Sequence, residues 1–447
     1  MKGKYLIIPV EIIVRELESR LLLALFAVKS GYKIILGSTT QIRHYTYDLP
    51  TGIIFEKCIS IYKITRLKRL VNLGNKITVI DEEGLGIDNS TEHHLIERVP
   101  QETMSIVTKY FTWGSYEKEF LKKKHPEFKN VIKNTGNVRV DLWKNRYNKY
   151  FNDDVKKINT EYGDYVLFCS SFSFEHIMGD EYGEHLDAMF NDYGIMDDNL
   201  KEVKKKRFEE FIAFKELVLN LPTLMPKIKF ILRPHPSENI QYWKSILKNI
   251  PNIKAVYKDS IPPWILGSKA VVHSSCTSGI EAYLMGKPVI SYLPKTDESR
   301  INILGNQVSN KCYNISMVKD LLNRWMAEKK ENFSNSNDNS EILPNYFGNY
   351  DGLPAYINIL KEIDNININE SKLDIGTFSK IKNKIKLYRK VRSMSKENKL
   401  YMKQKFPGLD QESLNDRIKR LGKAYDDLND ISFKTKKIDK DLFLIYV

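Results

Sequence analysis

The sequence predicts an α/β protein of two successive parallel-sheet domains, followed by a helical C-terminal extension. Three observations carry this reading. Unbroken apolar runs of strand length alternate with helix-like segments; the alternation pauses near residues 145–160 and then restarts; and 447 residues suffice for two cores. Strands covered by helices on both faces read as continuous apolar runs rather than as alternating ones. With 42% hydrophobic and 28% charged residues, the composition is that of a globular chain.

In chain order, Tyr5-Leu6-Ile7-Ile8-Pro9-Val10 is the first strand. Leu17, Leu21, Leu25 and Val28 recur at helical spacing, and Gly31 stands where a glycine ends a helix. Further strands are expected at Lys33–Gly37, Gly52–Phe55, Ile77–Ile80 and Lys109–Thr112. The second series runs through Tyr165–Cys169, Ile228–Leu232, Ile253–Val256, Ala270–Val272 and Pro288–Ser291. This gives an N-terminal domain over 1–150, a second domain over 151–330, and a remainder over 331–447. The remainder opens on a polar Asn/Ser stretch, 332–339, and passes through a linker at 364–371 into helical, basic sequence.

No apolar run approaches the roughly 20 residues that span a bilayer. The apolar start is followed at once by Glu11, Arg15, Glu16 and Glu18, so a secretory leader is not expected. Cys58, Cys169, Cys276 and Cys312 have no metal-type spacing and point to a reducing, cytoplasmic setting. The net charge of +14 calls for an anionic partner. Lys and Arg crowd the stretch from Lys380 to Lys405 against one acid, Glu397. That stretch suits an anionic membrane face and a peripheral location, or else packs on the body with its lysines solvated. No RNA-recognition or zinc-finger signature is present, so nucleic acid is not expected as a partner.

Ligands of doubly wound sheets bind beyond the carboxyl ends of the strands, and two such domains make the space between them the default active site. Four segments follow strands directly. Asp81-Glu82-Glu83-Gly84 offers carboxylates for general-base work, with Gly84 allowing a tight turn; the plain reading is a solvated acidic loop. In Arg233-Pro234-His235-Pro236 the prolines fix the backbone, and Arg233 and His235 can hold a phosphate. His273 to Ala282 contains Ser274, Ser275, Thr277 and Ser278 as caps of a phosphate-binding helix start, with Glu281 one turn on for ribose hydroxyls; ordinary capping is the alternative. Glu11-Ile12-Ile13-Val14-Arg15-Glu16 can dock an acceptor or a sugar carboxylate, and helix ion pairs explain it equally. Thr135-Gly136-Asn137-Val138-Arg139 reads as a structural turn closing the domain, with Arg139 reaching the same region as the alternative. Asp153-Asp154 and Asp197-Asp198 lie in loop-like surroundings away from strand ends, so no metal is expected.

Taken together, these segments resemble the surface carbohydrate biosynthesis family, bacterial GT-B-like proteins. The resemblance rests on Leu6–Glu11 with Arg15-Glu16-Leu17, Asp81–Gly84, Thr135 to Asp141, Arg233–Pro236, Ser274 to Pro288, and Lys405-Phe406-Pro407-Gly408-Leu409, and it covers most of the chain. It implies two Rossmann-like domains facing across a cleft. The order Glu82-Glu83-Gly84, His235-Pro236, Ser274-Ser275 is also similar to that of GT-B enzymes using CMP-sugars, such as bacterial sialyltransferases. That likeness implies Glu82 as base, with Glu83 beside it, His235 and Pro236 at the CMP phosphate, and the serines completing the phosphate site. CMP donors carry sialic acid and its relatives or Kdo. Kdo transferases are GT-B-like too and retain anomeric configuration, and likeness to them implies Glu82 as a nucleophile or orienting group instead. Ser170-Ser171-Phe172-Ser173 departs from the pattern, which has Asn or Thr there.

The expected function is therefore metal-independent transfer of an acidic 2-keto sugar from a CMP-activated donor to a glycan or lipid-linked glycan acceptor, in surface polysaccharide synthesis. No cofactor is expected beyond the nucleotide-sugar substrate. A transferase using a UDP- or GDP-sugar, a sugar-nucleotide epimerase, and a non-catalytic scaffold of polysaccharide assembly are the alternatives.

Overall fold

A computed structural model of the chain describes residues 3–84, 98–172, 198–236, 238–294, 303–327, 340–369 and 371–447. Ser173, Asp197 and the stretch 332–339 lie outside the described residues. The strands are β1 (Tyr5–Val10), β2 (Lys33–Ser38), β3 (Ile53–Glu56), β4 (Lys76–Ile80), β5 (Lys109–Thr112), β6 (Ile132–Asn134), β7 (Tyr165–Cys169), β8 (Lys229–Arg233), β9 (Ile253–Ala255), β10 (Ala270–His273), β11 (Val289–Tyr292), β12 (Asn310–Cys312), β13 (Lys434–Asp439) and β14 (Leu442–Tyr446). Two compact units emerge, Met1–Tyr150 with Glu341–Val447, and Phe151–Ser340.

In the first unit the sheet runs β13-β14-β2-β1-β3-β4-β5-β6 among the described residues. β1 to β6 pair in parallel, whereas β14 joins β2 antiparallel and carries β13 as a hairpin. All six residues of β1 are buried, as an unbroken apolar run requires. Helix Ile13–Lys29 follows, and Gly31 at φ 94 ends it in the left-handed region that its place in the sequence predicted.

That helix is not amphipathic in the way its leucine spacing suggested. Leu21, Leu22, Leu23 and Leu25 are all fully buried, and Arg20 with them. The chain's return covers the outer face: Phe26 stacks on Tyr356 at 3.9 Å and meets Tyr425 edge-on at 5.9 Å. Each leucine so covered contributes about 1.5–3 kcal/mol. Asp141 anchors the same return, accepting from Asn349 Nδ2 at 2.6 Å and from the Tyr356 backbone N–H at 3.2 Å.

The C-terminal extension contains helices Thr377–Arg392, Lys396–Lys405 and Gln411–Ala424, as expected, but it ends in the β13–β14 hairpin, which the sequence reading lacked. The reason is physical. β13 is an edge strand whose exposed lysines hide its pattern while guarding the edge against further pairing.

In the second unit the sheet runs β12-β11-β10-β7-β8-β9, parallel throughout. Phe168 and Phe230 stack at 5.4 Å on one face, against Phe214 and Phe211 of helix Asp198–Leu224. Asp153 and Asp154 belong to the first turn of helix Asn152–Tyr162 rather than to a loop, and Asp198 opens the long helix. The carboxylates of Asp153 and Asp154 offset the dipole of their helix. No helix among the described residues is long and apolar enough to cross a membrane.

Candidate functional site

Strand order selects one point in each sheet. In the first unit the chain leaves β1 for β2 on one side and then crosses from β2 to β3 on the other. At such a switch the loops diverge and open a crevice beyond the strand ends. Glu11 follows β1, and Lys57 follows β3; Lys57 Nζ lies 2.9 Å from Glu11 Oε2 and 3.5 Å from Glu16 Oε1. The Glu16 carboxylate also turns back to accept the Glu11 backbone N–H at 2.7 Å. Lys405, from the C-terminal extension, reaches Glu11 Oε1 at 3.0 Å. Burial alone would raise the Glu11 carboxyl, but Lys57 and Lys405 hold it down at about 2.

The acidic loop after β4 joins this cluster. Arg98 grips Asp81 with two hydrogen bonds, at 2.9 and 2.8 Å, and Glu83 with a third at 2.8 Å. Arg15 lies 3.4 Å from Glu16 and 3.5 Å from Glu83. Glu82 points inward: Arg20 is 2.8 Å away, and both side chains are buried. Arg139 donates to the Glu82 carbonyl at 3.4 Å, with its guanidinium over the rings of Trp113 and Trp143. Glu11, Arg15, Glu16 and Glu83, all named from sequence, thus fall in one ion-pair network, while Glu82 and Arg139, named with them, pair with each other and with Arg20 in a second set. Glu83 is the more exposed acid of the first, at 40% of its side chain. Gly84 closes the expected turn, its N–H donating to the Asp81 carbonyl at 3.3 Å, and a Cβ there would also meet Trp113 at 2.8 Å. The Trp113 indole N–H donates to the Asp81 carbonyl at 2.6 Å, which pins the loop.

The second unit switches between β7 and β10, from which the chain proceeds outward in opposite directions. Cys169, Arg233 and His273 stand in register at the ends of β7, β8 and β10. Beyond β7, Ser171 Oγ donates to the Ser274 carbonyl at 3.4 Å, bridging the two strand ends. Arg207 reaches in from the long helix and donates to Ser171 O at 2.6 Å and Oγ at 2.8 Å. Glu238 is buried under the same loops, accepting from Ser170 Oγ and from the backbone N–H groups of Phe172 and His235. Burial raises its carboxyl, and those donors oppose the rise.

His235 is exposed and Pro236 half-buried at the end of β8, on a loop that Glu238 closes. Arg233 does not accompany them. Its guanidinium is buried over Tyr257 and Trp264 and donates to the carbonyls of Lys258 and Asp259. Burial lowers it to about 10.

After β10, Ser274 is buried, while Ser275 adopts φ 49 and accepts from Asn306 Nδ2 at 2.9 Å. A non-glycine residue held there costs on the order of 1 kcal/mol, and such residues cluster at ligand sites. Thr277 is exposed at the N-cap of helix Ser278–Leu284 but makes no side-chain cap. The expected hydroxyl capping is therefore absent, and the helix spans only seven residues. His273 takes over the turn: the Cys276 N–H donates to its Nδ1 at 3.2 Å, leaving Nε2 to donate to Ser309 Oγ at 2.9 Å. Burial pushes the ring down to about 3, so it stays neutral. Ser278 and Glu281 are buried within the short helix. All four cysteines are free.

Sequence reasoning missed Arg20, Lys57 and Arg98 in the first unit, and Arg207 and Glu238 in the second. Lys57 had a signal, since it directly follows a strand. Glu238 lies three residues past His235, but its burial is a tertiary fact.

No family model matches the chain, and no curated protein matches its sequence. Solved structures of similar fold exist. The UDP-GlcNAc 2-epimerase of Methanocaldococcus jannaschii, in complex with UDP-GlcNAc and UDP, is similar over 80% of this chain and 99% of its own, at 14% identity and TM-score 0.48. A putative UDP-N-acetylglucosamine 2-epimerase from Listeria monocytogenes is similar over 84% of this chain and 100% of its own, at 15% identity and TM-score 0.48. Anabaena Alr3699/HepE, in complex with UDP and glucose, is similar over 88% of this chain and 100% of its own, at 9% identity and TM-score 0.40.

Proposed function

We propose that this chain is an enzyme acting on a nucleotide-activated sugar, with the nucleotide held in the second unit at the ends of β7 and β10. The observation that supports this best is the strand order β9-β8-β7-β10-β11-β12, whose switch point carries Ser170, Ser171, Ser274 and Ser275. His235, Pro236, Thr277, Ser278 and Glu281 border it; Arg233 serves the fold behind it.

Within that reading we take the reaction to be transfer of an acidic 2-keto sugar from a CMP donor to a glycan acceptor. The network of the first unit suits a substrate carboxylate. Arg15 and Arg98 both hold Glu83, and a sugar carboxylate arriving on the same two guanidiniums competes for them. Glu83, so released, becomes the base for the acceptor hydroxyl, and Glu82 holds the network in place from within.

Epimerisation of the nucleotide sugar is the second reading, and one observation favours it. The carboxylate that the resemblance makes the acceptor base, Glu82, is 3% exposed and paired with Arg20, out of reach of an incoming acceptor. One experiment separates these readings. Thermal shift against CMP, UDP and GDP identifies the nucleotide, and product analysis with and without a glycan acceptor follows. Stabilisation by CMP with acceptor-dependent release of CMP is expected. A UDP-sugar converted with no acceptor present establishes the epimerase, and no stabilisation by any nucleotide ends both readings.

A further inference from the structure

Helix Thr377–Arg392 presents its apolar stripe outward. Asn383 is 4% exposed and donates to Asp48 Oδ2 at 3.2 Å, which fixes the side that meets the body. At about 100° per residue, Ser379, Lys380 and Leu387 fall on that side, and each is half-buried. The opposite side carries Phe378 (80% exposed), Ile381 (52%), Ile385 (47%) and Tyr388 (66%). Lys382, Lys386 and Arg389 flank this row on one edge and Lys384 on the other, all exposed. No acid occurs anywhere in the helix.

Single exposed apolar residues are ordinary, but a row of four along one helix face needs a partner. We propose that this face binds an anionic lipid bilayer. The helix would lie in the membrane plane, with its apolar row in the acyl boundary and its flanking cations among the headgroup phosphates. The charge argues for this occupant. A second copy of the chain would bring the same cationic edges against these, and like charges repel. A bilayer of anionic lipid meets the apolar row and both cationic edges together. At 16 residues the helix is about 24 Å long, enough for one face to seat in the interface. This inference is independent of the nucleotide reading and fails or stands without it.

The test is flotation of the full chain with phosphatidylcholine vesicles and with mixed phosphatidylcholine–phosphatidylglycerol vesicles. Strong binding to the mixed vesicles alone, falling with salt, is expected. The variant Phe378→Ser/Ile381→Ser/Ile385→Ser/Tyr388→Ser should bind them at least about tenfold more weakly at an unchanged melting temperature, because its sites are exposed. Lys382→Glu/Lys384→Glu/Lys386→Glu should lose the preference for anionic lipid. The proposal is overturned if the unaltered chain ignores the mixed vesicles or if the apolar variant binds as well as the parent. It is equally overturned if the apolar row proves to hold a dimer that leaves lipid alone.

Discussion

Arg20 Nη2 lies 2.8 Å from Glu82 Oε1, and each side chain is only 2% exposed. The guanidinium also stacks 4.4 Å above the Phe55 ring, so it has no route to solvent when its partner is removed. A buried ion pair contributes little net stability when intact, but breaking it leaves a charge with nothing to meet it. Glu82→Gln should therefore lower unfolding stability by about 3–5 kcal/mol in urea denaturation. Arg20→Met combined with Glu82→Gln should recover most of that loss. Full stability of the single variant together with lost turnover would instead make Glu82 a chemical participant and not a strut.

Glu117 sets a second expectation, in pH. It is fully buried beside Tyr110, and burial pushes its carboxyl from 4.5 up to about 8 despite the hydrogen bonds donated by the Trp113 backbone and the Tyr110 hydroxyl. Between those values the folded state keeps a proton that the unfolded state gives up. Stability is thus fully present below about 4.5 and is lost as pH rises through about 8. Glu117→Gln removes the titration while keeping the shape. Urea midpoints should match near pH 5, and near pH 8 the variant should be more stable by on the order of 3 kcal/mol. Parallel pH curves for the two proteins would contradict this.

These two residues also show what a sequence yields and what it withholds. β1 and β10 are legible because strands buried on both faces are uniformly apolar. β6 and β12 span three residues each at the sheet margins, too short for a pattern. Glu11 and Glu82 could be named because each follows a recognisable strand. Arg20 could not: a lone arginine in helix Ile13–Lys29 reads as a solvated residue, and its burial over Phe55 and against Glu82 is a tertiary fact. Arg207 sits within a long helix, and its place beside Ser171 follows from packing that no local spacing encodes.

Gly279 offers a test of the turn after β10. A Cβ there would fall within the His273 ring, which Ser309 and the Cys276 backbone hold in place. Gly279→Ala must displace the ring or the helix start. Overpacking of this kind costs about 1–3 kcal/mol. Loss of thermal stability is expected together with weaker nucleotide binding, since Ser274 and Ser275 move with the ring. An alanine variant as stable as the parent would show that the turn is slack.

Arg207 provides the sharpest probe of where the nucleotide lies. Its Nη2 donates to both the carbonyl and the hydroxyl of Ser171, and its Nη1 pairs with Glu210 at 2.7 Å. The planar fork thereby fixes the loop beyond β7 against Ser274. Charge-assisted hydrogen bonds are worth about 1.5–3 kcal/mol. Arg207→Ala should weaken the stabilising nucleotide roughly tenfold to hundredfold by calorimetric titration. Arg207→Lys should recover little, because an ammonium cannot reproduce two diverging donors. Ser171→Ala keeps the carbonyl contact and should fall between parent and Arg207→Ala. Unaltered affinity in Arg207→Ala would place the nucleotide away from the β7–β10 switch point.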